Sequence, residues 1–576
     1  MTMSPHTVSV GPDSLVDPVT LEIMFNALRS VADETFVALM KSAYSTNIKE
    51  RRDHSTAIMD ASGRLIVQAE ASLPIHLASM GGLMSILLEK FGDEIDEGDI
   101  FIANDPHDAG GTHLPDINMA MPIFHKEKLV AFMVNIAHHA DVGGAVPGSM
   151  AGGMTEIYQE GLRIPVVRLF RGGAIQKDLM DLLLLNVRIP AERRGDYFAQ
   201  VAACRLGSKR LEEILIRYGL PMVNAGFDEI INRTANRMRK AVGGLPDGKY
   251  SFEDVMDDDG MGTVDIPIKL EITISRDTIH FDFTGTSKQV AGNINVTPNA
   301  TKAAVCYALK ALLDPDVPNN QGVLDIPEIT IEKGTLLNAV FPAPVAARAN
   351  TCQRIIDVIL GALSGARPES AVAAANGANT TAVFSGVDPR SGQSYLYLET
   401  LGGGFGGRVA KDGKDGVQVH ITNTSNLPVE AIEMEYPLRV RSYGFVENSG
   451  GAGKHRGGLG LERIVEPVNH DCVFNGAGER FQHSPWGLFG GCEGKPGEFL
   501  QEMGSGKSKR LPNKPIGVKI AASEAVIIRT PGAGGYGPPE EREPEALEED
   551  VTSGKYDAEF LAEHYPQWLS GQKDKE

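Results

Sequence analysis

Ile266, Ile268, Leu270, Ile272 and Ile274 alternate without a break; after a polar turn at Arg276–Asp277, Ile279, Phe281 and Phe283 resume the same period of two. That period lines one face of a strand with apolar side chains, so residues 266–283 predict an antiparallel hairpin with one face buried. The segment immediately before it, residues 190–245, reads as helix and stops at "GGLPDG". Such a change of period marks a boundary, and 576 residues are too many for one core at roughly 150 per domain. The predicted class is α+β, multidomain, with mixed sheets. An N-terminal α+β domain is expected over 1–245 and a hairpin-rich β domain over 246–340. A glycine-rich α+β domain over 341–537, in the β-heavy last third, and a C-terminal tail over 538–576 follow.

Residues 18–47 carry Leu21, Met24, Leu28, Val31, Phe36, Leu39 and Met40 near helical spacing, with Asp17 as cap and Pro18 in the first turn. "STAIMDASGRLIVQAE" predicts a hairpin turning at Asp60–Gly63; helices are expected over 76–91 and near 299–313 and 352–365. From 98 to 144 short strand-like runs alternate with glycine-rich loops. The chain holds 64 glycines, above the roughly 7% of an average protein, and its last third is rich in them without a fixed period. Two motifs there mimic nucleotide sites. "GSGKS" (504–508) has Gln501 where a phosphate-binding loop needs glycine, and two prolines follow it instead of a helix. "GGGFGG" (402–407) lacks the helix and acidic residue of a dinucleotide site. Neither is read as a nucleotide site, and the first reads as a polar hairpin turn.

A net charge of −20 makes nucleic acid and anionic membranes poor partners. The greasiest run, "LMDLLLLNV", is broken by Asp181 and Asn186 and falls short of the roughly 20 residues of a bilayer span. The N-terminus lacks a basic stretch followed by an apolar one. The five cysteines are odd in number, far apart and without a CxxC pair. A cytoplasmic protein with reduced thiols is expected.

Five of the fourteen histidines lie between His107 and His139, four of them in "NDPHDAGGTHLPDI" (104–117) and "NIAHHADVGG" (135–144). Two imidazoles and a carboxylate are a standard ligand set for zinc, manganese or iron(II) that leaves positions open for water or substrate. His113 and Asp116 stand three apart on an irregular loop, and His138, His139 and Asp141 close an apolar run. Asp105, Asp108 and Asp141 are placed to orient imidazoles or to act as bases. The spacing alone equally fits solvated loops in which Asp and Gly serve turns.

Ten blocks carry a resemblance: "ERRDHSTAIMD", "PIHLASMG", "NDPHDAGGTHLPDI", "AHHADVGG", "TEIYQEGLRIP", "DFTGTS", "NTSNLPVEAIE", "HRGGLGLER", "PWGLFGG" and "RTPGAGGYG". Together, from about residue 18 to residue 539, they resemble the hydantoinase B family. That family includes subunits of ATP-dependent N-methylhydantoinases and caprolactamases, the C-terminal half of 5-oxoprolinase, and subunits of acetone and acetophenone carboxylases. The resemblance implies a hydantoinase A-type partner that binds ATP and phosphorylates the substrate's carbonyl oxygen, in a heterotetramer. It also implies one divalent metal ion, zinc or manganese, on His113, Asp116 and His138, with His139 either supporting these ligands or replacing one.

The implied reaction is hydrolysis of a cyclic amide (a lactam, hydantoin or oxoproline) whose phosphorylated carbonyl is attacked by metal-bound water. Asp105, Asp141 or His139 would handle the proton or orient that water. Glu160, Arg163, Arg348, Asn350 and His420 are further candidates, each as readily structural. Two alternatives stand beside this reading: a subunit of an ATP-dependent ketone carboxylase, and a non-catalytic scaffold for an ATPase.

Overall fold

The computed structural model describes residues 16–150 and 152–573. Asp17 caps the first helix, Pro18–Ser42, by accepting from the backbone N–H groups of Val19 and Thr20. The helix buries Leu21, Met24, Leu28, Val31, Phe36 and Leu39, the stripe its spacing predicts. It lies on one face of a seven-stranded antiparallel sheet with strand order β2-β1-β5-β4-β3-β6-β7. The strands are β1 (His54–Asp60), β2 (Leu65–Gln68), β3 (Ile100–Ala103), β4 (Asp116–His125), β5 (Lys128–His138), β6 (Val167–Arg171) and β7 (Ala174–Ile175). β1 and β2 form the expected hairpin.

The helical stretch 190–245 is two helices, Pro190–Tyr218 and Leu220–Val242. They break at Gly219, whose φ of +76° is a conformation that L side chains rarely adopt. The first of them packs on β4 and β5 from the same side as Pro18–Ser42. The opposite face of the sheet, through Ala57, Phe101, Ala120, Phe132, Val134 and Ile136, joins the largest apolar cluster of the molecule. That cluster takes in the helices Leu77–Phe91, Pro298–Leu313 and Arg348–Leu363 and runs on into a second sheet.

The second sheet has the order β11-β10-β9-β8, with β8 (Gly248–Asp258), β9 (Val264–Ser275), β10 (Thr278–Asp282) and β11 (Pro327–Thr330). Ile274 pairs with Ile279 and Ile272 with Phe281, which is the hairpin that the alternation predicts. The helix Arg348–Leu363 is buried at every position and starts four residues earlier than its sequence suggested. The places where the chain changes texture, near 245 and 340, both lie inside the reach of this one apolar cluster.

The last third folds into two further sheets, of four and five strands. Its glycine-rich segments run backbone against backbone: a Cβ on Gly458 would stand 1.9 Å from the Lys414 carbonyl oxygen. In "GGGFGG" a Cβ on Gly406 would meet the Ala373 carbonyl oxygen at 1.8 Å, so these glycines serve close packing. "GSGKS" is the turn between the paired strands Glu498–Glu502 and Ser508–Arg510. The C-terminal helices dock through Leu547, Tyr556, Leu561 and Tyr565 against Ala452, and Asp550 ties Arg456 to Arg542. All five cysteines are free. Among the described residues no helix is long and apolar enough to cross a membrane. The architecture is α+β.

Candidate metal centre

In the β4–β5 ladder Asp116 is the direct partner of His138. Side chains alternate along β5: Phe132, Val134 and Ile136 face the main apolar cluster, and His138 continues that face. His139, one residue on, turns the other way, toward the helix Pro190–Tyr218. There its Nε2 bonds Gln200 Oε1 at 3.0 Å and its ring lies 4.7 Å from Tyr197. The two adjacent histidines are therefore divided by the sheet.

His113 reaches the same point from the loop before β4. Ligand atoms of His113, Asp116 and His138 all lie within 4.8 Å of one another, and all three side chains are buried. His113 Nδ1 lies 2.9 Å from the carbonyl oxygen of Ala346, which can only accept, so the ring proton sits on Nδ1 and Nε2 keeps its lone pair. Arg348 Nη1, 3.1 Å from that same nitrogen, donates nothing to it once it is protonated. Nε2 faces Asp116 Oδ1 across 3.0 Å, and neither atom has a hydrogen-bond partner. Two buried acceptors facing each other call for a cation between them. The donor set, two imidazoles and a carboxylate, suits zinc or manganese, so the residues fit the ion that the sequence led us to expect.

The surroundings keep these groups in the ionisation states a divalent ion needs. Burial lowers the pKa of His113 and takes that of His138 well below the usual imidazole value, which favours neutral rings. Burial alone would raise Asp116, but the Arg348 guanidinium beside it holds it well below the ordinary carboxylate range. Asp116 Oδ2 accepts from Arg348 Nη2 at 2.6 Å and from Thr112 Oγ1 at 2.9 Å, leaving Oδ1 as its free oxygen. Glu160, pushed up to about 8 by burial, accepts from the backbone N–H groups of Val345 and Ala346 and so steadies the carbonyl that orients His113.

Beside the triad is a cavity of about 20 Å³ lined among others by Arg51, Asp53, His76, His138, Arg348 and Thr400, room for about one water molecule. Among those absent from the sequence-based site are three ionisable residues, Arg51, Asp53 and His76. His76 is buried, with Nδ1 2.9 Å from Ser55 Oγ and Nε2 unpartnered, 3.6 Å from Asp116 Oδ2. Asp53 is raised by burial, and Arg51 lies 3.9 Å from it. His76 sits in "PIHLASMG" and the other two in "ERRDHSTAIMD", blocks that carried the resemblance, but no spacing linked them to the triad.

The expected proton-handling aspartates are engaged elsewhere. Asp105 accepts from the backbone of His107 and Asp108 and pairs with Arg163, so its two oxygens serve the loop. Asp141 accepts from the side chain and backbone N–H of Arg188. Both oxygens of each carboxylate are held by such donors, and the contacts of Asp105 and Asp141 point to loop anchoring. Those of His139 point to packing against Tyr197 and Gln200. Arg163 pairs with Asp105 and Asp108 and covers Phe341. Asn350 accepts from the Asn379 N–H, and His420 pairs with Asp357 at 3.2 Å. Of the secondary candidates, Arg348 alone bonds directly to the triad.

Known proteins share this arrangement of the chain. Residues 17–539 match the Hydantoinase B/oxoprolinase family model. The caprolactamase subunit beta of Pseudomonas jessenii is 32% identical over 94% of this chain and 94% of its own. The crystal structure of the ATP-dependent caprolactamase from Pseudomonas jessenii superimposes with a TM-score of 0.90 at 30% identity, over 95% of this chain and 96% of that one. A nucleotide-free acetone carboxylase structure matches with a TM-score of 0.88 over 95% of this chain and 79% of that one. At 20% identity it shares the fold. The chain belongs to the hydantoinase B/oxoprolinase family.

Proposed function

We propose that this chain is the metal-holding subunit of an ATP-dependent cyclic amide hydrolase acting on a lactam, hydantoin or oxoproline. Its partner is a hydantoinase A-type subunit that binds ATP and phosphorylates the substrate's carbonyl, and the pair works as a heterotetramer. The observation that carries the reading is the buried His113, Asp116 and His138 group, with two unpartnered acceptor atoms 3.0 Å apart. The caprolactamase likeness, both in sequence and in fold, supports the choice of substrate class.

An unactivated amide resists attack because nitrogen donates into its carbonyl, and phosphorylation of the oxygen removes that resistance. A zinc or manganese ion held by the three residues would supply a Lewis acid that lowers the pKa of water toward neutrality. The chain's own residues do the rest. Arg348 keeps Asp116 ionised, Ala346 keeps the lone pair of His113 pointed inward, and His76, Asp53 and Arg51 line the space beside them. That space admits about one water, so the ring of a substrate stays outside it and presents only its polar edge.

The test is an assay of the chain purified with its partner against a panel of lactams, hydantoins and oxoproline, with and without ATP. ATP-dependent ring opening that disappears in His113→Ala is expected. Activity retained in that variant would overturn the reading and favour a scaffold.

A further inference from the structure

His138 is the triad member held by a side-chain amide. Asn47 Nδ2 lies 2.7 Å from His138 Nδ1 and 3.1 Å from the His138 carbonyl oxygen. Asn47 Oδ1 accepts from Arg51 Nη1, and Arg51 Nη2 donates to Thr400 Oγ1. All four residues are buried. Thr400 lies in the strand Ser394–Leu401, so the chain of bonds ties the glycine-rich third to the metal site.

The chemistry of this chain of bonds is directional. An amide nitrogen only donates and a guanidinium only donates. With Arg51 bonded to Oδ1, the amide turns Nδ2 toward His138 Nδ1, which then accepts, and the neutral ring carries its proton on Nε2. A protonated ring nitrogen has no lone pair for a metal. For Nε2 to bind an ion the proton must move to Nδ1, and Asn47 must turn over to accept it. That turn sets Nδ2 against Arg51, donor against donor.

We propose that Asn47, held by Arg51, is a positioning residue that sets the metal affinity of the site by opposing the metal-ready tautomer of His138. The inference rests on the metal reading above. It is tested by titrating the metal-free chain with zinc(II) or manganese(II) against a chromophoric chelator, for the wild type and Asn47→Asp. A carboxylate only accepts, so it satisfies His138 Nδ1–H and Arg51 together, giving up only the bond to the His138 carbonyl oxygen. Asn47→Asp should therefore bind the ion roughly tenfold tighter, the scale on which groups supporting a ligand act.

A residue with only a structural role would leave the affinity unchanged or weaken it, and either result overturns the proposal. A second measurement needs no variant of Asn47. Nitrogen-15 spectra of metal-free wild-type chain, with His138 assigned by its loss in His138→Gln, should place the His138 proton on Nε2, and zinc(II) should move it to Nδ1. A proton on Nδ1 before metal is added would also overturn it. Wild-type chain that takes up no divalent ion would instead defeat the metal reading itself.

Discussion

Asp116 stands directly opposite His138 across β4 and β5, and a single unpaired residue, Val130, is the reason. The hairpin turns at Lys126–Glu127, both at positive φ, and begins with His125 opposite Lys128 and Phe124 opposite Leu129. Ile123 then pairs with Ala131, so Val130 is the extra residue of a bulge. Without it Asp116 would face Ala137, and His138 would point from the other side of the sheet. The meeting of His113, Asp116 and His138 depends on that one-residue shift.

The triad therefore acts as a unit. His113→Ala and His138→Ala should each strip the ion on dialysis while the fold survives, as elemental analysis with thermal melting will show. Asp116→Ala should differ, because it leaves Arg348 buried without its partner at a cost of about 3–5 kcal/mol. Asp116→Asn should lose the metal with a smaller loss of stability. Full metal occupancy in these variants would dismiss the site.

The neighbouring histidines separate cleanly. His138→Gln should abolish metal binding. His139→Ala removes a bond to Gln200 and packing on Tyr197, so it should cost about 1–3 kcal/mol of stability and leave metal content as in the wild type. Equal metal loss in both variants would contradict the division of the two rings by the sheet.

Much of the fold could be read from the chain because its signals are local. The Asp17 cap, the stripe from Leu21 to Leu39 and the alternation from Ile266 to Phe283 each need only a short window. His113, Asp116 and His138 were also found in advance, from residue type and resemblance. Their geometry was not legible: the turn at Lys126–Glu127 has neither glycine nor asparagine to announce it, and the Val130 bulge leaves no mark in composition. Arg348 reaches Asp116 across 232 positions, a distance no periodicity spans. Composition could not show that Asp105 and Asp141 bind arginines, because acidic residues beside glycines look alike whether they serve a reaction or bind the nearest arginine. The side of the sheet that His139 takes was hidden too, because adjacency in sequence does not show which face of a strand a residue occupies.

Glu160 gives a pH signature. Its pKa rises from 4.5 in the unfolded chain to about 8 in the folded one, so between those values the folded state holds a proton that the unfolded chain releases. The associated stability is fully present below pH 4.5 and lost as pH rises to about 8. The loss is on the order of a few kcal/mol. Glu160→Gln keeps the acceptor for Val345 and Ala346 without titrating. The stability of the wild type relative to this variant, from urea unfolding at a series of pH values, should fall across that window; a flat difference would contradict the assignment.

Neither glycine motif can cradle a nucleotide, since "GSGKS" is an exposed hairpin turn and "GGGFGG" is packed against backbone. Calorimetry of the isolated chain with ATP should show no binding, and ATP turnover should appear only with the partner subunit. Tight binding by the chain alone would reassign the nucleotide site.

The most direct test of the central claim is to run the chain and its partner on a cyclic amide with ATP, in rigorously bicarbonate-free, oxygen-18-labelled water. Hydrolysis predicts that the ring opens at full rate and that labelled oxygen appears in the product's carboxylate. A preparation inert under these conditions, and active only when a ketone and bicarbonate are supplied, would contradict the account and make this chain a carboxylase subunit.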